Sequence, residues 1–358
     1  MNNILEAVII GGGYDDDIED AILFEILNEG ENAVGNRAER YGRFDLNELV
    51  PAEVKNNFRF DKDNIIRLAR ALGLPNEIVT QQRHRISGLH GLCILLRRLA
   101  YPNRLCDLEP LFGLSAQSLS QIANEVADII YQNHGHLIEN LQNLPWLNLD
   151  KLRYYSHAVF AKDAPLNNCW GFIDGTTRAI CRPTEEQENY YSGHKRYHCV
   201  KYQSLLSPDG LILSLKGAYP GRRHDAGIFR ISHLYDELDI GVARFPNGEN
   251  FVLYGDLAYG IRDLLICPYG NQHLTPQQQE FNRSMSAVRQ AVEWGFQKVT
   301  TEFAFLDFKK NQKLLVQDIE QLYKVAVLLT NCHTSLYGSQ TSQYFNVVPP
   351  NLEEYLGV

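Results

Sequence analysis

Three acids stand out by type and position. Asp174 closes the apolar run CWGFID, Asp256 closes FVLYGD, and Glu293 lies one residue off the apolar stripe of a long helix. Carboxylates brought together repel unless cations join them, so the trio implies Mg²⁺, with Mn²⁺ as its substitute. Two such ions, about 3.5 to 4 Å apart, can activate a water or a 3′-hydroxyl and stabilise the leaving oxygen of a phosphodiester. Phosphoryl transfer is the reaction class these acids suggest. Each acid taken singly also has a plainer reading: Asp174 and Asp256 as turn residues bonding their own backbone, Glu293 as an i,i+4 ion pair with Arg289. Together, on elements in this order, they favour a site.

Other motifs say less. His194 and His198 have H-x-x-x-H spacing but stand among Lys and Tyr with no acidic partner nearby, which favours phosphate contact or a structural role over zinc. GGGYDDD follows no long strand and is neither a dinucleotide nor a P-loop signature. No G-x-S-x-G nucleophile motif is present. PGRRHDAG sets Arg222, Arg223 and His224 just before a helix start carrying Asp225, where His224 and Asp225 can support the site from behind and the arginines can meet phosphate.

The elements that must position the acids begin near Asn167, where the chain turns to short apolar runs bounded by turns. CWGFID reads as a strand ending at Asp174, and HCVKYQSLL and LILSLKGA flank Ser207-Pro208-Asp209-Gly210 as a hairpin. DAGIFRISHLYDEL reads as one helix capped by Asp225, and FVLYGD and LLICPY as buried strands. Thr275 caps the next helix, with Pro276 first and Gln278 completing a capping box. Its stripe of Met285, Val288, Val292, Phe296 and Val299 has the spacing of a helix packed on a sheet. A last helix runs through IEQLYKVAVLLTNC. This order predicts an α/β layer around a mixed five-stranded sheet, the order of ribonuclease H-like nucleases.

Upstream, residues 62 to 133 read as helices: DNIIRLARAL, GLHGLCILLRRLAY, CDLEPLF and SAQSLSQIANEVADIIYQN. The last two meet at Gly113-Leu114 with Ser115 as N-cap, the spacing of a helix-turn-helix. The second of them carries no Arg or Lys, so a DNA reader and a purely structural bundle stay equally open. For phosphate contact Arg97, Arg98 and Arg104 are the better candidates.

With 44% hydrophobic and 22% charged residues the chain has ordinary globular composition, which excludes collagen-like, mucin-like and wholly disordered classes. No apolar stretch approaches the roughly 20 residues a bilayer requires, and the N-terminus has acids where a signal peptide would end. A soluble protein without membrane attachment is expected. The seven Cys are scattered, never as C-x-x-C, and read as reduced core residues of an intracellular protein. Net charge is -9, and residues 1 to 66 alone account for it, with 15 acids against 6 bases. The segment from Ser192 to His224 is by contrast basic, with Lys195, Arg196, Lys201, Lys216, Arg222 and Arg223 against Asp209 alone. A polyanion would be met there and repelled by the N-terminal segment.

The ordered blocks GFIDGT (171 to 176), YSGHKRYH (191 to 198), SPDG (207 to 210), GRRHDAGIF (221 to 229), GDLAYG (255 to 260) and FNRSMSAVRQAVEWGFQKV (281 to 299) resemble the PIF/Harbinger transposases and the Harbinger transposase-derived nucleases. RRLAYPNRLCDLEPLFGLSAQSLSQIANEV is more weakly similar to the family's helix-turn-helix segment. The resemblance implies a DDE triad of Asp174, Asp256 and Glu293. It implies divalent-metal-dependent hydrolysis at transposon ends followed by joining to target DNA, with Asp174 and Asp256 sharing the ions and Glu293 holding the second. It also implies nuclear action, or a cytoplasmic location without a partner, because such proteins commonly work with a Myb/SANT-like protein that recognises DNA and aids nuclear entry. Homo-oligomerisation is expected on the same ground. Lys195, Arg196, Arg222 and Arg223 are assigned to the DNA backbone from charge alone. Where relatives carry a basic run after the glutamate, this chain has Thr300, Thr301 and Glu302.

The resulting expectation is an acidic, partly ordered extension (1–60), a helical helix-turn-helix-like domain (61–145), a ribonuclease H-like DDE nuclease domain (165–335) and a C-terminal tail (336–358). The expected function is a DNA transposase or endonuclease using two Mg²⁺. The alternatives are a domesticated, non-cutting adaptor in protein or chromatin assembly, and a host nuclease unrelated to transposition.

Overall fold

The computed structural model describes residues 41–80, 83–270, 273–314 and 317–358. The acidic run and the GGG of the N-terminal segment lie outside the described residues. The helical part begins earlier than the sequence suggested. Residues 51–58 form α1 (Pro51–Phe58), with Val54 and Phe58 fully buried, so the end of the expected extension is packed core. Three longer helices follow: α2 (Lys62–Ala71), α3 (Gly88–Ala100) and α4 (Ala116–His134). Ser115 caps α4 as expected, its hydroxyl accepting from Ser118 N–H at 3.1 Å, and Gly113 ends the preceding turn at φ 64°, the left-handed region a glycine enters at no steric cost.

Helix α5 (Leu149–Phe160) packs on the first strand of the sheet. The main strands are β1 (Cys169–Ala179), β2 (Tyr197–Leu206), β3 (Ile212–Pro220), β4 (Val252–Tyr254) and β5 (Leu265–Ile266). They lie in the order β3-β2-β1-β4-β5, with β1, β2 and β3 antiparallel in succession and β1, β4 and β5 parallel. This is the expected mixed sheet with one addition: the two-residue strand Tyr191–Ser192 pairs with the start of β2 as a sixth member. The β2–β3 hairpin closes through Ser207–Leu211, where Gly210 N–H donates to Ser207 C=O at 2.9 Å. Its Asp209 is wholly buried, accepting from the Ser207 and Tyr155 hydroxyls.

The helix expected over residues 225–238 is broken. The first piece, α6 (Asp225–Ile231), ends at Ser232, and His233 at φ 55° turns the chain before a second short piece, Leu234–Glu237. Asp225 is the first helical residue and makes no cap bond; it is held instead by Lys201 at 3.2 Å. Helix α7 (Pro276–Glu302) has the expected capping box, and Met285, Val288, Val292 and Val299 are buried as the spacing predicted, while Phe296 is half-buried. Helix α8 (Ile319–Tyr337) lies beside it. The expected tail is also folded: α9 (Gln340–Phe345) and α10 (Leu352–Leu356) bury Phe345, Leu352, Tyr355 and Leu356.

One hydrophobic cluster runs from Leu46 to Leu356 through the helices and the sheet alike. Helix α4 contributes Leu119, Ile122, Val126 and Ile130 to it, and its Asp128 accepts from Gln321 on α8 at 2.7 Å. The helices are thus welded to the sheet layer. All seven Cys are free, five of them buried. Among the described residues no helix is long and apolar enough to cross a membrane.

The helical core carries a titratable group. His90 packs between Phe44 (ring centroids 4.8 Å apart) and Phe112 (5.8 Å), and burial pushes its pKa down to about 4. The unfolded chain takes up its proton near pH 6.5 and the folded chain only near 4, so stability from this site is complete above pH 6.5 and falls as pH drops toward 4. His90→Phe should therefore lose about 2 kcal/mol less than the parent between pH 6.5 and 4 in urea titrations. Parallel losses in the two proteins would contradict this.

Candidate active site

Asp174 and Asp256 are placed by the backbone ladder. The last parallel pair between β1 and β4 is Phe172 with Tyr254, and each aspartate stands two residues beyond its member of that pair. Side chains alternate along extended chain, so both emerge on the same level at the point where β4 stops. The structure differs from expectation at Asp174. Strand β1 continues five residues past it to Ala179, with Asp174 opposite Ser204 and Thr176 opposite Tyr202 on β2. I-D-G-T is therefore extended chain rather than a turn, held by pairing to β2. Asp256 caps a 3-10 turn over Leu257–Tyr259, accepting from Leu257 N–H at 2.5 Å. Gly255 before it has no room for a side chain: a Cβ would lie 2.7 Å from Ile173 Cγ2.

Glu293 projects from α7, exposed and off the buried stripe. The three acids line one pocket of about 580 Å³ together with Asp225, Lys195, Lys201, His194, Gln297 and Thr300. The ion pair expected between Glu293 and Arg289 is not formed. Arg289 instead places Nη2 2.8 Å from Asp174 Oδ1, crossing from the helix to the strand. Burial pushes the Asp174 carboxyl above the usual carboxylate range and the Asp256 charge adds to this, while Arg289 and the Gly175 N–H act against it. Burial also raises the Tyr259 phenol, and the charges of Asp174 and then Asp225 raise it further.

An all-carboxylate donor set suits a hard divalent cation. The residues fit such an ion in kind, although among the described residues no three His, Cys, Asp or Glu close into a metal-holding group.

A second, more basic groove of about 630 Å³ adjoins the acids and shares Ser192, His194 and Lys201 with them. Arg222, Arg223, His224 and His198 line it. Lys195 and Arg196 sit exposed on the turn before β2, where Arg196 N–H donates to Ser192 C=O at 2.7 Å. Of the basic residues named from charge, Lys195 thus lines the acidic pocket and Arg222 and Arg223 the groove beside it, while Arg196 lines neither. Those of the helical part do not join them. Arg98 packs its guanidinium 4.2 Å from the Phe305 ring and donates to Asn103 C=O, Arg97 donates to Asn103 Oδ1, and Arg104 pairs with Asp107 at 3.1 Å. Arg97 and Arg98 are spent on internal contacts; Arg104 is the exposed one.

Some roles are not visible in the sequence. Lys201 holds Asp225, and a lysine inside the apolar run HCVKYQSLL is the signal for it. Arg289 pairs with Asp174 rather than Glu293. Arg182 and Lys309 lie beside His198, whose pKa is lowered by burial and then by these two charges.

Residues 173–331 match the family model described as DDE superfamily endonuclease. Neither a curated protein nor a solved structure matches the chain. The matched stretch contains Asp174, Asp256 and Glu293 and runs from within β1 through most of α8, and the mixed sheet is consistent with a ribonuclease H-like DDE domain. Fold and family match together support a transposase or nuclease function for this part of the chain.

Proposed function

We propose that this chain is a DNA transposase or transposase-derived endonuclease of the PIF/Harbinger type, cutting and joining phosphodiester bonds at transposon ends. The observation that carries the proposal is the convergence of Asp174, Asp256 and Glu293 from two parallel strands and a helix onto one pocket within the family match. Asp174, Asp256 and Glu293 would hold two Mg²⁺ ions, or Mn²⁺, which when bound supply an activated water or 3′-hydroxyl and stabilise the leaving oxygen. The chain's own cations orient the substrate. Lys195 at the pocket and Arg222 and Arg223 in the adjoining groove meet backbone phosphates flanking the reacting one. Lys201 fixes Asp225 at the pocket wall.

The acidic first 66 residues and a helix α4 without Lys or Arg support recognition of the DNA ends by a second, Myb/SANT-like protein. Action in the nucleus and as a homo-oligomer belongs to the same proposal. The test is nicking of supercoiled plasmid by the purified chain in Mg²⁺, with EDTA as control. Metal-dependent nicking supports the reading; nicking that persists in EDTA, or none in Mg²⁺ or Mn²⁺, contradicts it. Arg222→Glu/Arg223→Glu should weaken DNA binding at every sequence and lower the slope of log K against log salt by about 2, close to one per phosphate contact. An unchanged slope would remove these residues from the DNA path.

The Arg289–Asp174 ion pair favours a second reading, a non-cutting adaptor, because it neutralises the first acid from within the protein. An adaptor keeps its function when Asp174 or Glu293 is neutralised, and an endonuclease does not.

A further inference from the structure

Resting on the reading of Asp174, Asp256 and Glu293 as divalent-metal ligands, we propose that Arg289 is the internal counter-ion of the site, holding the Asp174 carboxylate until a divalent cation displaces it. Arg289 precedes Glu293 by four residues, so the ordinary partner on the helix surface is within reach. The guanidinium nevertheless crosses to the strand and sits 2.8 Å from Asp174 Oδ1, with only 24% of the arginine side chain and 20% of the aspartate exposed. A pair so far withdrawn from water is weakly screened by salt. The remaining surroundings do not explain the crossing: Arg289 Nε is buried without a hydrogen-bond partner among the described residues. The field of Arg289 also reaches Tyr254, Tyr259 and Cys267, which burial keeps uncharged at neutral pH, and its one ion pair among the described residues is with Asp174. Asp174 is what draws it in.

Asp174 and Asp256 rise side by side from neighbouring parallel strands, so their charges repel and a cation beside them relieves that repulsion. Arg289 does so on one carboxylate. A divalent ion on the same carboxylate would lie within a few ångströms of the guanidinium, and the two cations repel strongly in a site of low effective dielectric. Asp174 therefore serves one or the other. The cost of removing Arg289 is subtracted from metal affinity, and Asp174 is held in place when no metal is bound.

The experiment is Mn²⁺ binding, followed by loss of the free-ion electron paramagnetic resonance signal, on the full chain without DNA. Arg289→Met should bind Mn²⁺ about tenfold tighter than the parent, and its melting temperature should rise more on Mn²⁺ addition. Arg289→Lys, which keeps the charge but shortens the reach, should gain about threefold and carries the decision if Arg289→Met does not fold. Equal or weaker binding in the folded variants overturns the proposal. Asp256→Asn separates this failure from failure of the underlying reading. Binding that Asp256→Asn abolishes but Arg289 does not influence sinks the counter-ion alone, whereas no Mn²⁺ binding by parent and Arg289 variants, or binding indifferent to Asp256→Asn, sinks both.

Discussion

Asp256→Asn and Glu293→Gln should each lower metal-dependent DNA cleavage by about 10³-fold or more, equivalent to roughly 4 kcal/mol of barrier, while the protein stays folded. Both acids are exposed at the pocket mouth, and neither carries a buried contact whose loss would unfold the chain. An asparagine at 256 still offers an oxygen to Leu257 N–H, so the cap on the 3-10 turn is kept. Asp174→Asn should be equally inactive but less neutral for stability, because it leaves Arg289 beside an uncharged partner. Residual activity near a tenth of the parent in the two exposed variants would remove these acids from the chemistry. Circular dichroism on the same samples distinguishes lost chemistry from lost fold.

The second large effect is on stability. Lys216 on β3 donates to Glu237 Oε1 at 2.5 Å, with 15% and 10% of the two side chains exposed, and Glu237 Oε2 accepts from Leu141 N–H at 3.0 Å. The pair ties the segment after α4 to the sheet. Lys216→Met should cost about 3 to 4 kcal/mol in urea unfolding, because it strands a buried carboxylate. Adding Glu237→Leu should restore about half of that, leaving the Leu141 N–H and the Glu139 C=O, which Lys216 also bonds, without their partners. A double variant as unstable as the single one would show that the ion pair itself, rather than the isolated charge, is what stabilises this junction.

What could be read from the sequence was local. Ser115, the Thr275-Pro276-Gln278 box and the Ser207–Gly210 turn act through bonds to residues two to four positions away, and all three are found as expected. The three acids were legible because each follows or flanks an apolar pattern that identifies its element. What was missed depended on distant partners. Gly175 suggested a turn, yet Thr176 and Thr177 are good strand residues, and pairing with Tyr202 and Lys201 keeps β1 extended. Arg289 had a plausible partner four residues on and takes one more than a hundred residues back. The segments 51–58 and 340–356 are too short to show a persuasive period, but each buries aromatic or leucine side chains in the common core.

That common core bears on how such a protein can change its specificity. Helix α4 gives one flank to α3 and another to α8, so the helical part cannot be lifted off and replaced as a cassette without opening the sheet layer. Recombination between relatives at residues 145–165 would join halves whose surfaces were never matched. On the transposase reading proposed above, new target preference would come by substitutions on the exposed basic turn and groove, with the folded chain inherited whole.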